Sequence, residues 1–150
     1  MKKYFLLFSS LIMLKSASGQ PLKPHLWEHR VVLLFASSLQ QAALQHQSDI
    51  LTKEKEEVTD RDIKIYVILP EGGEQPDGRP LSAAQAKSLY STYEVTPGTG
   101  FTFVLIGKDG TEKMRKKRPV AAGELFSLID SMPMRKAEMR RNSGDEDKKN

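Results

Sequence analysis

Three runs of apolar residues stand out along the chain, at 31–35 (VVLLF), 63–69 (IKIYVIL) and 101–106 (FTFVLI), each of strand length and rich in β-branched or aromatic side chains. The first is apolar at every position, which predicts a central strand covered on both faces. In the second, Lys64 and Tyr66 alternate with Ile63, Ile65 and Val67, so one of its faces is expected to be partly open near its start. Residues 39–58 are long enough for a helix of several turns, and Leu39, Ala42, Ala43, His46, Ile50 and Leu51 are spaced to form its apolar side, with charged residues 53–57 as a solvated end. A Gly- and Pro-containing loop over 70–80 leads to a second helix. Ser82 and Gln85 open that helix as a capping box, and Ala86, Leu89, Tyr90 and Tyr93 give it an inner face.

After the third run, Lys108-Asp109-Gly110 predicts a tight turn, because Asp-Gly accepts the positive φ that a hairpin needs. A fourth strand over 111–116 should then return antiparallel beside the third. Pro119 ends it, and a helix over 124–132 turns Leu125, Leu128, Ile129 and Met132 inward. Pro133 closes that helix, residues 134–141 add one more helical stretch, and 142–150 are expected to be a disordered polar tail. The order β-α-β-α-β-β-α predicts an α/β fold: a parallel βαβ unit joined through a helix to an antiparallel ββα unit, forming a mixed four-stranded sheet with helices on both faces. That is the thioredoxin-like order of elements.

The first residues stand apart from this pattern. Lys2 and Lys3, the apolar stretch 4–14 and the small residues Ala17-Ser18-Gly19 read as an export signal over 1–19, followed by an extension over 20–28 and a domain over 29–141. The stretch is too short to cross a bilayer stably, so no transmembrane segment is expected after its removal, and the protein is expected in a periplasm or outside the cell. Taking Lys2, Lys3 and Lys15 from the formal net charge of +4 leaves +1. The remaining charge is concentrated, with six basic and two acidic residues between 108 and 118. The chain has no cysteine, which excludes disulfide staples, thiol–disulfide exchange and thiol peroxidase chemistry.

The phrases RVVLLFAS, DRDIKIYVI, GFTFVLIGKDG, EKMRK and DSMPMRKAEMR together resemble the domain of unknown function 4174 family, over roughly residues 29–141. That family occurs alone in exported bacterial proteins and in tandem in vertebrate extracellular ones. The resemblance implies a thioredoxin- or peroxiredoxin-like fold and an extracytoplasmic setting, and implies no chemistry. It places the thioredoxin active-site turn within 37–43, without a thiol. Gly100 stands where the thioredoxin cis-proline is expected, and Pro97 lies several residues early.

Candidate chemistry is sparse. Ser37 and Ser38 at a helix start are expected to cap its first turn. Their sharper alternative is a hydrolase-like nucleophile, or the turn of a cysteine-free peroxiredoxin relative, with His25, His29 or His46 as base. His25, Glu28 and His29 would share a face if 24–30 were helical, but three such residues do not make a closed metal site, so no metal and no cofactor is expected. Trp27 should cover one end of the core. Arg115, Lys116, Lys117 and Arg118 lie on the hairpin's second arm, where they either guard a sheet edge or bind an anion. The expected partner is an anionic polysaccharide or an envelope or matrix protein. Nucleic acid is not expected, for want of a recognition motif. Arg135, in the methionine-rich stretch 132–139, is a second candidate contact and a local partner for Glu138. The reading is a binding or interaction module with no catalytic residue.

Overall fold

The computed structural model describes residues 20–146, with side chains through 144; the expected export signal and residues 147–150 lie outside the described residues. β1 (Arg30–Phe35) is the axis of the sheet. It runs parallel to β2 (Ile63–Leu69) on one side and antiparallel to β5 (Thr102–Ile106) on the other. β6 (Glu112–Lys116) pairs antiparallel with β5 and forms the edge on that side.

All six β1 residues are buried because helices cover both faces of the sheet. Strand alternation divides the core accordingly. Val32 and Leu34, with Phe103 and Leu105 of β5, face α1 (Ala42–Lys53), α2 (Lys55–Asp60) and α4 (Ala122–Ser131). Val31, Leu33 and Phe35, with Val104 and Ile106, face α3 (Ala83–Thr92), which contributes Ala86, Leu89 and Tyr90. The capping box of α3 forms as its sequence predicts, with Gln85 N–H donating to Ser82 Oγ and Ser82 N–H to Gln85 Oε1.

The sheet has six strands, not four. The loop over 70–80 contains β3 (Gly72–Glu74) and β4 (Pro80–Leu81), which extend the sheet beyond β2 in the order β4-β3-β2-β1-β5-β6. These strands are too short to show hydrophobic alternation. What admits them is backbone room: a β-carbon on Gly73, whose φ is +146°, would collide with the Val67 carbonyl oxygen.

The single helix expected over 39–58 is two helices, interrupted at Glu54, and its buried side is displaced from the predicted one. Leu44, Gln47 and Leu51 point inward, while Leu39 and His46 are exposed. The displacement centres on Gln47, a fully buried polar residue in place of an apolar one. Its Nε2 donates to the Val120 carbonyl at 3.2 Å, and its Oε1 accepts from Val120 N–H at 2.6 Å. The side chain thus serves as a piece of backbone for the loop between β6 and α4.

Pro133 starts α5 (Pro133–Glu146) as well as ending α4. Met132 takes the extended backbone that a following proline imposes. α5 continues through 142–146, a stretch expected to belong to the polar tail. Trp27 does not cover the core; the residue is 61% exposed, and its backbone N–H donates to the Lys108 carbonyl.

Gln47→Leu keeps the volume of the side chain but strands both Val120 groups. Each buried orphan costs about 1–3 kcal/mol, so urea unfolding should show a loss of roughly 2–4 kcal/mol. A loss below about 1 kcal/mol would contradict the bridging role.

Candidate functional site

The resemblance places the thioredoxin active-site turn after β1, and that turn is closed by a glutamine. Gln41 Oε1 accepts from Ser37 N–H at 2.9 Å and from Ser37 Oγ at 3.3 Å. α1 begins at Ala42 with Gln41 as its N-cap and no side-chain cap bond, so neither Ser37 nor Ser38 caps it as expected. The turn is anchored from α3, where the Tyr90 hydroxyl lies 3.3 Å from the Ala36 carbonyl and 3.2 Å from that of Ile68. Burial pushes this phenol up to about 12 and keeps it a donor.

No histidine reaches the serines. His25 and His29 precede β1 while Ser37 follows it, so six strand residues, roughly 20 Å at ~3.3 Å each, lie between them. His46 is on the exposed side of α1. The Ser37 hydroxyl is therefore a local donor to Gln41, and the geometry supplies it no general base. Ser37→Ala should change unfolding stability by less than about 0.5 kcal/mol, as exposed substitutions away from such features do; a larger loss would show that the turn's geometry depends on that hydroxyl.

The two N-terminal histidines are organised by Tyr66. Its hydroxyl donates to the Pro21 carbonyl at 3.0 Å and so accepts from His25 Nε2 at 2.8 Å, leaving His25 Nδ1 facing His29 Nδ1 at 3.3 Å. Burial, then the charges of His29 and Lys64, lower the His25 pKa. Glu28 is exposed and outside this cluster, and among the described residues no group of three or more His, Cys, Asp or Glu side chains is arranged to hold a metal.

The basic hairpin is an exposed arm with its own counterions. Arg115 forms a two-toothed pair with Glu112 at 2.9 and 2.6 Å, while Lys116 and Arg118 share Glu124 of α4 at 3.3 and 3.1 Å. Lys117 makes no ion pair among the described residues. Lys113 holds Asp109 at 2.8 Å and, with bonds from Thr111, lowers that carboxyl to about 2.

Arg135 has a different place from the one expected of a surface contact. It is buried, and pairs with Asp60 and with Asp130 at 3.2 Å. Its local partner Glu138 is 3.9 Å away and engaged elsewhere. Glu138 accepts from Arg30 at 3.1 and 3.3 Å and from Lys108 at 2.9 Å, and Lys108 also reaches Asp62 at 2.7 Å. Arg61 completes the cluster with Asp130 and Glu57, its guanidinium 4.5 Å above the Phe126 ring. A network of four cations and five carboxylates thus joins the start of β1, the α2–β2 corner, the β5–β6 hairpin and the α4–α5 junction. Sequence reasoning found only its Arg135–Glu138 edge; Glu57–Arg61 and Asp130–Arg135 are local pairings it passed over, and the pairings that tie the segments together are long-range.

Burial alone would raise the Glu138 carboxyl, but hydrogen bonds from Lys108 and Arg30 and their charges outweigh it and hold the pKa below the ordinary value. Asp130 is lowered against the same burial effect by Arg61 and Arg135. A carboxylate with a depressed folded-state pKa contributes stability that is present above its unfolded value and lost as pH falls through the folded one. Stability should therefore fall as pH drops below about 4.5, and less steeply in Asp130→Asn. At neutral pH, Glu138→Gln leaves Arg30 and Lys108 short of a counter-charge and should cost about 3 kcal/mol in urea unfolding. A loss within 1 kcal/mol would show that the cluster relaxes without it.

The family described as Domain of unknown function (DUF4174) matches residues 21–138. No curated protein matches the chain. Among solved structures, the reduced 2-Cys peroxiredoxin of Plasmodium vivax is similar at a TM-score of 0.53 and 19% identity, over 73% of this chain and 80% of that one. Prx1a of Plasmodium yoelii, modified at its N-terminus, is similar at a TM-score of 0.52 and 18% identity, over 73% and 76%. At such identities the likeness shows the thioredoxin-like fold alone.

Proposed function

Since the chain belongs to the DUF4174 family, we propose that it is an exported thioredoxin-like binding module without redox activity, whose hairpin arm engages an anionic partner. The partner class is acidic polysaccharide, with an acidic envelope or matrix protein as the alternative. One observation carries this reading: on the edge strand and the residues after it, five cations (Lys113, Arg115, Lys116, Lys117 and Arg118) form ion pairs with three carboxylates (Asp109, Glu112 and Glu124), and Glu94 adds a more distant charge near Arg115.

Exposed ion pairs of this kind contribute roughly 0–1 kcal/mol each. A polymer presenting many anionic groups can therefore displace Glu112 and Glu124 at little cost, and a local basic patch acts even when net charge is small. Edge protection explains why charges stand on β6, but it does not need the run to continue through Lys117 and Arg118 past the end of the strand. The absence of any cysteine in the 150 residues supports a role independent of thiol chemistry.

The test is retention of the domain on an immobilised acidic polysaccharide across a salt series, beside a variant with residues 115–118 changed to glutamate. Screening and charge reversal act on one interaction, so retention should fall steeply with salt and vanish in the variant. Equal retention of the two proteins, or none, would reduce the arm to edge protection.

A further inference from the structure

The segment that leads into β1 is held on the foot of the sheet, where β1 begins, by groups that titrate near neutral pH, and it is independent of the hairpin reading. Residues 20–29 contain one 3₁₀ turn (Lys23–His25) and touch the domain lightly. Leu22 packs on the core beside α3, the Tyr66 hydroxyl donates to the Pro21 carbonyl at 3.0 Å, and Trp27 N–H donates to the Lys108 carbonyl at 2.6 Å. Part of the segment is strained. Trp27 has φ +68°, a left-handed conformation that a bulky side chain rarely adopts, so contacts elsewhere have to offset its cost.

Tyr66 sets the tautomers of the two histidines in this segment. Its hydroxyl proton goes to Pro21, so His25 donates to it from Nε2 and, when neutral, keeps a bare lone pair on Nδ1. His29 Nδ1 stands 3.3 Å from that lone pair and donates to it. A first proton fits this arrangement, because one nitrogen of the facing pair still accepts. A second proton does not fit: it sets two N–H groups and two charges against each other across the same gap.

Among the described residues, no unpaired carboxylate is packed against the pair to balance that second charge. Lys64, on β2, adds a cation, and burial, His29 and Lys64 all lower the His25 pKa. Asp77 and Arg79, from the β3–β4 turn, share a cavity with His25 but pair with each other at 2.6 Å. On the other side the pair faces Tyr93 of α3, whose phenol burial keeps protonated, and the apolar Val31 and Ile106. At the hairpin, Lys108 and Asp109 are engaged with Asp62, Glu138 and Lys113. Lys23 and Glu28, on the segment itself, are exposed to solvent.

We infer that His25 and His29 form a proton-operated latch: sharing at most one proton they clamp residues 20–29 onto Tyr66, and a second proton releases the segment and uncovers Val31 and Ile106 at the foot of the sheet. A histidine whose pKa is lowered in the clamped state binds its proton more readily once released. The clamp therefore weakens as pH falls below the ordinary histidine value of about 6.5.

Trp27 is the only tryptophan in the chain, so its fluorescence anisotropy reads the segment directly. Anisotropy should be level above about pH 7 and fall in one reversible step between about pH 6.5 and pH 5, while far-UV circular dichroism stays unchanged. His29→Asn keeps a donor for neutral His25 and an acceptor for charged His25 without adding a second charge. That variant should match the unaltered protein at neutral pH and hold its anisotropy down to about pH 5. Level anisotropy in the unaltered protein through this window overturns the proposal. A step at the same midpoint in His29→Asn assigns the transition to another group and overturns it too. So does a loss of circular dichroism that accompanies the step, because the whole domain is then unfolding.

Discussion

The contact on which the rest of the molecule depends is the buried pair between Arg30, at the first position of the first strand, and Glu138, in the last helix, 108 residues apart in the chain. Burying a guanidinium to 1% exposure without a counterion costs several kcal/mol of stability. The fold therefore has to bring α5 back to the start of β1. Lys108 joins the same carboxylate from the hairpin, and Arg61 and Arg135 extend the cluster to α2 and α4, so a single electrostatic requirement fixes the relative placement of four segments. A hydrophobic replacement of such a cluster is often no less stable. What the ions add is specificity, because each has few acceptable partners.

This arrangement makes the two ends of the sheet unlike. At the foot, charge is buried, paired and crowded. At the head, the turn that follows β1 is held from behind by Tyr90 and closed by Gln41, with an exposed Ser37 and a half-buried Ser38. The fold is thioredoxin-like, and the turn carries no thiol.

The sequence made the core legible and left the polar structure hidden, for physical reasons that differ by residue. The runs VVLLF and FTFVLI announce central strands because both faces are covered, and Asp109-Gly110 announces its hairpin by backbone preference alone. β3 and β4 gave no sign because strands of three and two residues have no period to read. The inner side of α1 was misplaced because Gln47, a polar residue, occupies an inward position and satisfies a backbone 73 residues away. Arg135 looked like a surface contact for the same reason. Charge reads as solvated until its partners are known, and Asp60 lies 75 residues distant. In the basic arm over 115–118, Arg115, Lys117 and Arg118 are exposed and Lys116 is half-buried, and three of its four cations carry neighbours that composition could not locate.

Native-state hydrogen exchange on the first turns of α5 tests the central place of the ionic cluster most directly. If the Arg30–Glu138 contact joins the last helix to the first strand in one cooperative unit, the amides of 137–141 should exchange only through an opening of the same free energy as those of 32–35. Exchange of α5 through openings several kcal/mol cheaper, with β1 still protected, would mean that the helix is an appendage and that the cluster does not organise the fold.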